Sequence, residues 1–280
     1  MGNPVTTAPD RALQTRYTTV DGLAIRYATS SARPDQALLL SPWPESLYAF
    51  EPMWPQLADH AQLVAVDLPG FGQSEGRPDL LSPRAMGEFV VRIADHLQLD
   101  RLHAVGPDVG TSALLFAAST HPDRFRSLVV GSGATTYPLE LGEPLTRWVH
   151  TPDLARYEAM DPRRIVAGAL DGISSAYQLP EHVREDYLSA YDGERFVASM
   201  AYVRSYPTEL AALGPVLPRV TTPVQVIAGA RDGAVPPTNG RYLHDRLPAS
   251  RLDVIDAGHF TWEDAPDTYA RLVANWWART

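Results

Sequence analysis

Short runs of β-forming residues alternate with helical patterns along most of this chain, and that alternation limits the fold more than any other feature. The β-type runs cover residues 23–29, 37–40, 62–67, 102–105, 127–130, 224–228 and 252–255. Between them, residues 84–97 carry apolar side chains at helical spacing. Strands that are separated by helices pair in parallel. The sequence therefore predicts a three-layer α/β fold with a mostly parallel sheet.

Residues 134–213 interrupt this alternation. Their sequence is helical, punctuated by proline and rich in tyrosine, and the β pattern resumes only at Val224. Open α/β sheets bind their ligands at the carboxyl ends of the strands, so we expect this insertion to form a helical cap, or lid, over that edge. The predicted core domain comprises residues 1–133 and 214–280, and the predicted cap comprises residues 134–213.

Composition excludes several classes of function. The formal net charge is −9, whereas nucleic-acid binders need a basic face. The chain has no cysteine and no lysine, which excludes cysteine nucleophiles and lysine Schiff bases. No apolar run approaches the roughly 18 residues of a membrane span. We expect a cytoplasmic monomer or homodimer that acts on a small molecule, with no cofactor, metal, nucleic-acid or membrane partner.

The motif Val-Gly-Pro-Asp-Val-Gly-Thr at residues 105–111 leads from a predicted strand into a predicted helix. Asp108 stands between Gly106 and Gly110, at the centre of a nucleophile-elbow pattern that usually carries serine. Such a tight turn strains its central residue and brings the backbone too close for a Cβ at the flanking positions. The pattern predicts that Asp108 is a nucleophile; the alternative is a turn aspartate that caps the next helix.

Two further motifs follow later strands. Asp232 lies in Gly-Ala-Arg-Asp-Gly at residues 229–233, and His259 lies in Ala-Gly-His-Phe at residues 257–260. Taken singly, Asp232 could instead lie in a solvated turn, and His259 could instead be a capping or core histidine. Loops at one sheet edge bring such side chains together, so we expect Asp108, His259 and Asp232 to form a catalytic triad.

With these motifs in place, the chain from about residue 16 to 277 resembles the α/β-hydrolases, and specifically the branch of epoxide hydrolases and haloalkane dehalogenases. Residues 67–74, Asp-Leu-Pro-Gly-Phe-Gly-Gln-Ser, match the loop after the fourth strand of that family. The resemblance implies that Asp108 attacks a saturated carbon to form an alkyl-enzyme ester. Water activated by His259, with Asp232 orienting the imidazole, then attacks the carboxyl carbon of Asp108.

The resemblance also implies an oxyanion hole made by the backbone N–H groups of Trp43 and Val109. The His-Gly-x-Pro segment of the family is replaced here by Ser41-Pro42-Trp43-Pro44. Proline constrains the turn and pushes the preceding residue toward extended geometry. The alternative is an ordinary proline-rich loop without a catalytic part.

Which leaving group the site can accept depends on residues near the nucleophile, and at several of these positions this chain differs from the families it resembles. Haloalkane dehalogenases that resemble it carry tryptophan directly after the nucleophile and fluoroacetate dehalogenases carry arginine, but Val109 stands there. The indole N–H of Trp43 is the alternative halide donor. Epoxide hydrolases instead use cap tyrosines that donate to the epoxide oxygen. Residues 200–204, Met-Ala-Tyr-Val-Arg, are similar to an aromatic-Tyr-Arg segment of those enzymes, with Val203 at the donor position.

Four cap tyrosines are candidates for substrate binding or for the acid, although packing is the alternative role for each. They are Tyr202, Tyr206, Tyr137 and Tyr177. The leading hypothesis is an epoxide hydrolase-like enzyme for a bulky organic substrate. One alternative is a haloalkane or haloacid dehalogenase-like hydrolase. Another is a non-hydrolytic member of the fold with an altered oxyanion loop.

Overall fold

Apolar, nearly continuous strand sequences suit a sheet that is covered on both faces, and the computed structural model, which describes residues 8–173 and 177–280, contains such a sheet. Its strands are β1 (Thr15–Val20), β2 (Leu23–Thr29), β3 (Gln36–Leu40), β4 (Gln62–Val66), β5 (Leu102–Pro107), β6 (Phe125–Gly131), β7 (Val224–Gly229) and β8 (Ser250–Ile255). The order is β1-β2-β4-β3-β5-β6-β7-β8. β2 pairs antiparallel with β1 and β4, and all other pairs are parallel.

Helices connect and flank the strands. They are α1 (Ala8–Arg11), α2 (Trp54–Ala58), α3 (Pro83–His96), α4 (Val109–Thr120), α5 (Leu145–His150), α6 (Ala155–Glu158), α7 (Pro162–Ile173), α8 (Glu181–Ala190), α9 (Arg195–Arg204), α10 (Tyr206–Leu213), α11 (Thr238–His244), α12 (Thr261–Asp264) and α13 (Pro266–Trp277). Short 3₁₀ helices cover Leu47–Met53, Pro78–Leu80, Pro122–Arg124 and Gly214–Arg219. None of the helices in the described residues is long and apolar enough to cross a bilayer.

Helix α3 illustrates how local sequence produces these elements. Ser82 caps it by accepting a hydrogen bond from the backbone N–H of Ala85, and Pro83 occupies the first turn, where a missing N–H costs nothing. Gly87 allows α3 to lie directly on α4, because a Cβ there would be 2.5 Å from the carbonyl oxygen of Ala113. The α3 and α4 helices therefore pack closely beside the strand that leads to Asp108.

The predicted fold class is confirmed: the protein has a mostly parallel sheet flanked by helices. Each predicted β run lies on a strand, and the predicted helix 84–97 corresponds to α3. No β pattern in the sequence predicted β1. That strand lies at the sheet edge with mostly exposed side chains, so it lacks the apolar run by which the other strands were recognised.

Between β6 and β7 the structure describes only helices, α5 to α10, with residues 174–176 outside the described part. A buried arginine joins this segment to the sheet. Arg26 of β2 donates from Nε to Asp67, 2.6 Å away, and its terminal nitrogens donate to Asp186 of α8 at 2.6 and 2.8 Å. Asp186 also accepts from the Ser46 hydroxyl at 2.5 Å. The assignment of residues 134–213 to a separate cap stays a prediction.

Candidate active site

Asp108 lies between the end of β5 and the start of α4, with φ of 50° and ψ of −121°. Its backbone N–H donates to the carbonyl oxygen of Gly131. The turn tolerates no side chain at two neighbouring positions: a Cβ on Gly106 would be 2.9 Å from the carbonyl oxygen of Gly110, and a Cβ on Gly133 would be 2.3 Å from that of Asp108. A non-glycine residue held in this strained conformation is typical of functional sites. Gly106 and Gly133 are therefore steric requirements of the turn, whereas a Cβ on Gly110 would come no closer than 3.4 Å to a neighbouring atom, so the expected crowding at that position is wrong.

The structure brings Asp108, His259 and Asp232 together at the carboxyl ends of β5, β7 and β8. His259 Nδ1 lies 2.9 Å from Asp232 Oδ2, and His259 Nε2 lies 3.7 Å from Asp108 Oδ1. Asp232 Oδ1 accepts the backbone N–H groups of Ala234 and Val235 at 3.0 and 2.7 Å. All three side chains are buried. One oxygen of Asp232 is thus held by backbone while the other orients the imidazole.

The backbone N–H of Trp43 points at the nucleophile candidate. It donates to Asp108 Oδ2 over 2.7 Å, and the N–H of Val109 also hydrogen-bonds to the Asp108 carboxyl group. Two N–H donors on one carboxyl group form the arrangement that stabilises an oxyanion on a tetrahedral intermediate.

The unusual loop before Trp43 is tied to the neighbouring strand. The N–H of Ser41 donates to the carbonyl oxygen of Val66, and the Ser41 hydroxyl oxygen accepts the N–H of Leu68 at 3.1 Å. These two bonds hold the loop against the end of β4. Pro42 therefore does not turn the Trp43 N–H away from the site.

Burial raises the pKa of Asp108 to about 6, although the charge of His259 and the N–H groups of Trp43 and Val109 favour the ionised form. The carboxyl group is therefore mainly a carboxylate at neutral pH. An ionised carboxylate can attack carbon without first losing a proton to a base.

Opposing effects act on the pKa of His259. Burial lowers its pKa, but the charge of Asp232, the hydrogen bond to Asp232 and the charge of Asp108 together raise the pKa above its usual value. If Asp108 became an ester, its negative charge would disappear. The His259 pKa would then fall, and the imidazole would become a better base when a base is needed.

Two of the candidate tyrosines lie beside the nucleophile. Tyr202 is buried and donates its hydroxyl to the carbonyl oxygen of Val109 over 2.7 Å. Tyr206 is only 1% exposed and packs edge-on against Tyr202. Its hydroxyl has no hydrogen-bond partner among the described residues. Burial, Tyr202 and the charge of Asp108 raise the Tyr206 pKa, so this side chain is a neutral donor near the Asp108 carboxylate.

The other two candidates lie in different surroundings. Tyr137 is 51% exposed. Tyr177 is partly buried, and burial followed by the charges of Glu263 and Glu51 raises its pKa. Val203, at the position of the donor tyrosine in the resembling segment, is buried in α9. Of the four tyrosines, Tyr206 has the free hydroxyl best suited to donate to a reacting group at Asp108.

The indole of Trp43 is already engaged. Its Nε1–H donates to the Ser199 hydroxyl oxygen over 2.9 Å, and that hydroxyl donates to the carbonyl oxygen of Phe196. The indole ring stacks on Phe196 and meets Trp148 edge-on. This N–H is therefore not free to hold a halide.

A buried group that the sequence analysis missed lies next to the triad. Glu45 Oε2 accepts Trp262 Nε1–H at 3.0 Å, Tyr187 donates its hydroxyl to Glu263 Oε1 at 2.8 Å, and the two glutamate carboxyl groups are close enough to shift each other's pKa. We call Glu45 and Glu263 the carboxyl pair. Burial raises the pKa of Glu263 to about 7 and that of Glu45 well above its usual range. No sequence signal joins residues so far apart.

Within residues 8–173 and 177–280, no group of three or more His, Asp or Glu side chains has the arrangement of a metal site.

Comparison with known proteins agrees with this architecture. Residues 38–154 match the alpha/beta hydrolase fold family. The uncharacterized hydrolase YugF of Bacillus subtilis is 26% identical, over 93% of this chain and 96% of that protein. A 3-oxoadipate enol-lactonase of Acinetobacter baylyi is 25% identical, over 91% of this chain and 93% of its own length.

Solved structures show the same fold. Cfl2 from Burkholderia cenocepacia has a TM-score of 0.83 at 20% identity, covering 97% of this chain and 98% of its own. The epoxide hydrolase CorEH has a TM-score of 0.79 at 20% identity, covering 95% of this chain and 99% of its own. Since sheet order, elbow placement and these matches agree, the chain has the α/β-hydrolase fold.

Proposed function

We propose that this protein is a hydrolase that uses the Asp108 carboxylate to form an alkyl-enzyme ester, with epoxides of bulky organic molecules as substrates. One observation carries the proposal: the two oxygens of Asp108 have different surroundings. Oδ2 lies 2.7 Å from the Trp43 N–H, and Oδ1 faces His259 at 3.7 Å. Oδ1 is thus the oxygen for attack, and Oδ2 lies where an oxyanion would later form.

In the first half-reaction, Asp108 Oδ1 attacks an epoxide carbon and the C–O bond of the ring breaks. The electron pair of that bond moves to the ring oxygen, which takes a proton from a hydroxyl donor. Tyr206 is the best placed donor, because its ring is buried against Tyr202 and its hydroxyl is close enough to Asp108 for that charge to raise its pKa. The product of this step is an ester between Asp108 and the substrate.

In the second half-reaction, His259 removes a proton from water, and the resulting hydroxide attacks the carboxyl carbon of Asp108. Negative charge develops on Oδ2, where the N–H groups of Trp43 and Val109 stabilise it. Collapse of the intermediate breaks the Asp108 Cγ–Oδ1 bond, and the departing oxygen takes the proton held by His259, which releases a diol that contains Oδ1. The second proton of the water stays on the regenerated Asp108 carboxyl group and returns through solvent to the phenolate that protonated the ring oxygen. Asp232 holds the imidazole in the tautomer that this step requires.

An oxygen leaving group is favoured over a halide by the donors near Asp108. Val109 offers no side-chain donor, and the indole N–H of Trp43 is bound to Ser199. A phenol such as Tyr206 can protonate an alkoxide, whereas a halide needs no proton. The fold likeness to the epoxide hydrolase CorEH is compatible with this choice.

Mass spectrometry of a His259→Gln variant, exposed to panels of epoxides and haloalkanes, tests the proposal. We expect a substrate-derived mass increment on the peptide that contains Asp108, and no increment in His259→Gln combined with Asp108→Asn. An increment with haloalkanes and free halide, but none with epoxides, would instead support the dehalogenase alternative. Absence of any adduct, together with full activity of Asp108→Asn, would contradict the ester mechanism.

Isotope labelling supplies a second test. In one turnover of excess enzyme in water labelled with heavy oxygen, the ester mechanism transfers unlabelled Oδ1 to the product and leaves the label on Asp108. Direct attack of water on the substrate would instead place the label in the product.

A further inference from the structure

The carboxyl pair is not used by the reaction described above, yet it is fully enclosed. Glu45 is 0% exposed and Glu263 is 1% exposed. Within the described part of the chain, neither forms an ion pair with arginine or histidine. Two ionised carboxylates this close together, without a cation, would repel each other in a medium of low polarity.

The hydrogen bonds around the pair agree with a shared proton. Glu45 Oε2 is occupied by Trp262 Nε1–H, and Glu263 Oε1 is occupied by the Tyr187 hydroxyl. Glu45 Oε1 is buried and has no hydrogen-bond partner among the described residues. A carboxylic acid that donates to a carboxylate would satisfy both groups and leave only one negative charge.

The pair lies where three functional segments meet. Glu45 follows the loop that carries the Trp43 N–H. Glu263 and Trp262 belong to α12, which begins two residues after His259, and the Trp262 ring lies 6.3 Å from the His259 ring. Tyr187 belongs to α8, on the helical segment between β6 and β7. The pair therefore connects the oxyanion loop, the loop of the general base and the helical segment.

We propose that Glu45 and Glu263 share one proton and act as a positioning pair, which holds the Trp43 loop at a set distance from His259 for hydrolysis of the ester. The inference rests on the proposed function, because it assigns the pair to the second half-reaction. Ester hydrolysis needs both segments at once: His259 must deliver hydroxide to Asp108 while Trp43 stabilises the oxyanion. Attack by Asp108 on the substrate depends less on their relative position.

If the shared proton were lost, Glu45 and Glu263 would both be negatively charged in the same buried site. The charged and titratable groups that interact with Glu45 are Glu263, Asp108 and Tyr187, and those that interact with Glu263 are Glu45, Tyr187, Tyr177 and Asp264. None of these groups is a cation. We therefore expect the loop and α12 to separate when the last proton leaves at alkaline pH, and we expect ester hydrolysis to slow down.

Infrared difference spectroscopy tests the shared proton without any substrate. At mildly alkaline pH, where ordinary glutamates are ionised, the wild type should keep a carboxylic-acid carbonyl band. That band should be absent from Glu45→Gln and from Glu263→Gln, and it should persist in Glu88→Gln, whose carboxylate contacts His121 at the surface. A wild type without the band would overturn the proposal, whatever the enzyme does to epoxides.

Single-turnover kinetics test the positioning role. Glu45→Ala and Glu263→Ala should slow ester hydrolysis by about ten- to a hundredfold and change ester formation much less. The Gln variants keep a hydrogen bond in the pair, so they should recover most of the rate and lose the alkaline decrease of the wild type. Equal slowing of both half-reactions, or an unchanged alkaline decrease in both Gln variants, would refute the positioning role. A shared proton in a protein that forms no ester would refute only the proposed reaction.

Discussion

The backbone N–H of Trp43 lies 2.7 Å from Asp108 Oδ2 and makes a hydrogen bond with the carboxylate before any substrate is bound. This bond joins the loop after β3 to the elbow after β5. It leaves Oδ1 turned toward His259. The orientation of the carboxylate is thus set by the backbone, because the His259 nitrogen is farther from Asp108 than the Trp43 nitrogen is.

Ester formation should depend on the ionisation of Asp108. Burial raises its pKa to about 6, and only the carboxylate attacks carbon. The rate of ester formation should therefore fall by about tenfold per pH unit below that pKa and level off above it. Rapid-mixing measurements on His259→Gln isolate this step. That variant also removes a positive charge that favours the carboxylate, so its midpoint should lie somewhat above that of the wild type.

Tyr206→Phe should slow epoxide opening by about a hundred- to a thousandfold, the usual cost of removing one donor to a developing oxyanion. The ring and its packing against Tyr202 are retained, so the change acts on the hydroxyl alone. Tyr137→Phe, at an exposed position, is the matched control and should retain full activity. Stopped-flow ester formation is the measurement, and wild-type rates in Tyr206→Phe would remove this residue as the acid.

Asp232→Asn should block the second half-reaction. An amide can donate to His259 Nδ1, and this would place the imidazole proton on Nε2, where the base must be free. Ester hydrolysis should slow by about ten-thousandfold, so that the ester accumulates. The loop should keep its shape, because the side-chain oxygen still accepts from Ala234 and Val235. Asp253→Asn, in a pair with Arg251, is the control. Normal turnover by Asp232→Asn would contradict the assignment.

Arg26→Met should destabilise the protein by about 3–5 kcal/mol, the usual cost of removing one partner from a buried ion pair. Asp67 would lose its cation while fully buried, and Asp186 of α8 would lose its link to β2. Urea unfolding measures the loss. Arg124→Met breaks a more exposed pair with Asp95 and should cost at most about 1 kcal/mol. Equal losses of unfolding free energy in Arg26→Met and Arg124→Met would show that the buried ion pair stabilises the protein no more than the exposed one.

Pro42→Gly restores the residue type found in related enzymes, but it should not improve catalysis. The Trp43 N–H already reaches Asp108, and the loop is held by the bonds of Ser41 to Val66 and Leu68. We expect the free energy of unfolding to fall by about 0.4–1 kcal/mol, because glycine increases the entropy of the unfolded chain. Ester hydrolysis and thermal unfolding should be compared with the wild type. A large gain in rate would mean that Pro42 distorts the oxyanion hole.

Local patterns were sufficient for the sheet and for the elbow. Parallel strands buried on both faces need apolar runs, so β3 to β7 were visible in the sequence, whereas the exposed edge strand β1 was not. Gly106 is required by contacts with Gly110 and Leu114 in the same turn and helix, and Gly133, just after β6, is required by contacts with Asp108 and Thr111. Those requirements are written into the local sequence, which is why a short motif could predict them.

By itself, the sequence determined the α/β fold, the strained turn at Asp108 and the order of the candidate triad, since each depends on neighbouring residues or on parallel strands ending at one edge. Tertiary structure decided the rest. The Trp43 N–H meets Asp108 across 65 positions, Tyr206 has a free hydroxyl where Tyr202 does not, and Glu45 meets Glu263 between segments far apart in the chain. Such contacts arise only when loops and the helices between β6 and β7 pack together, because no local rule relates residues that folding brings into contact.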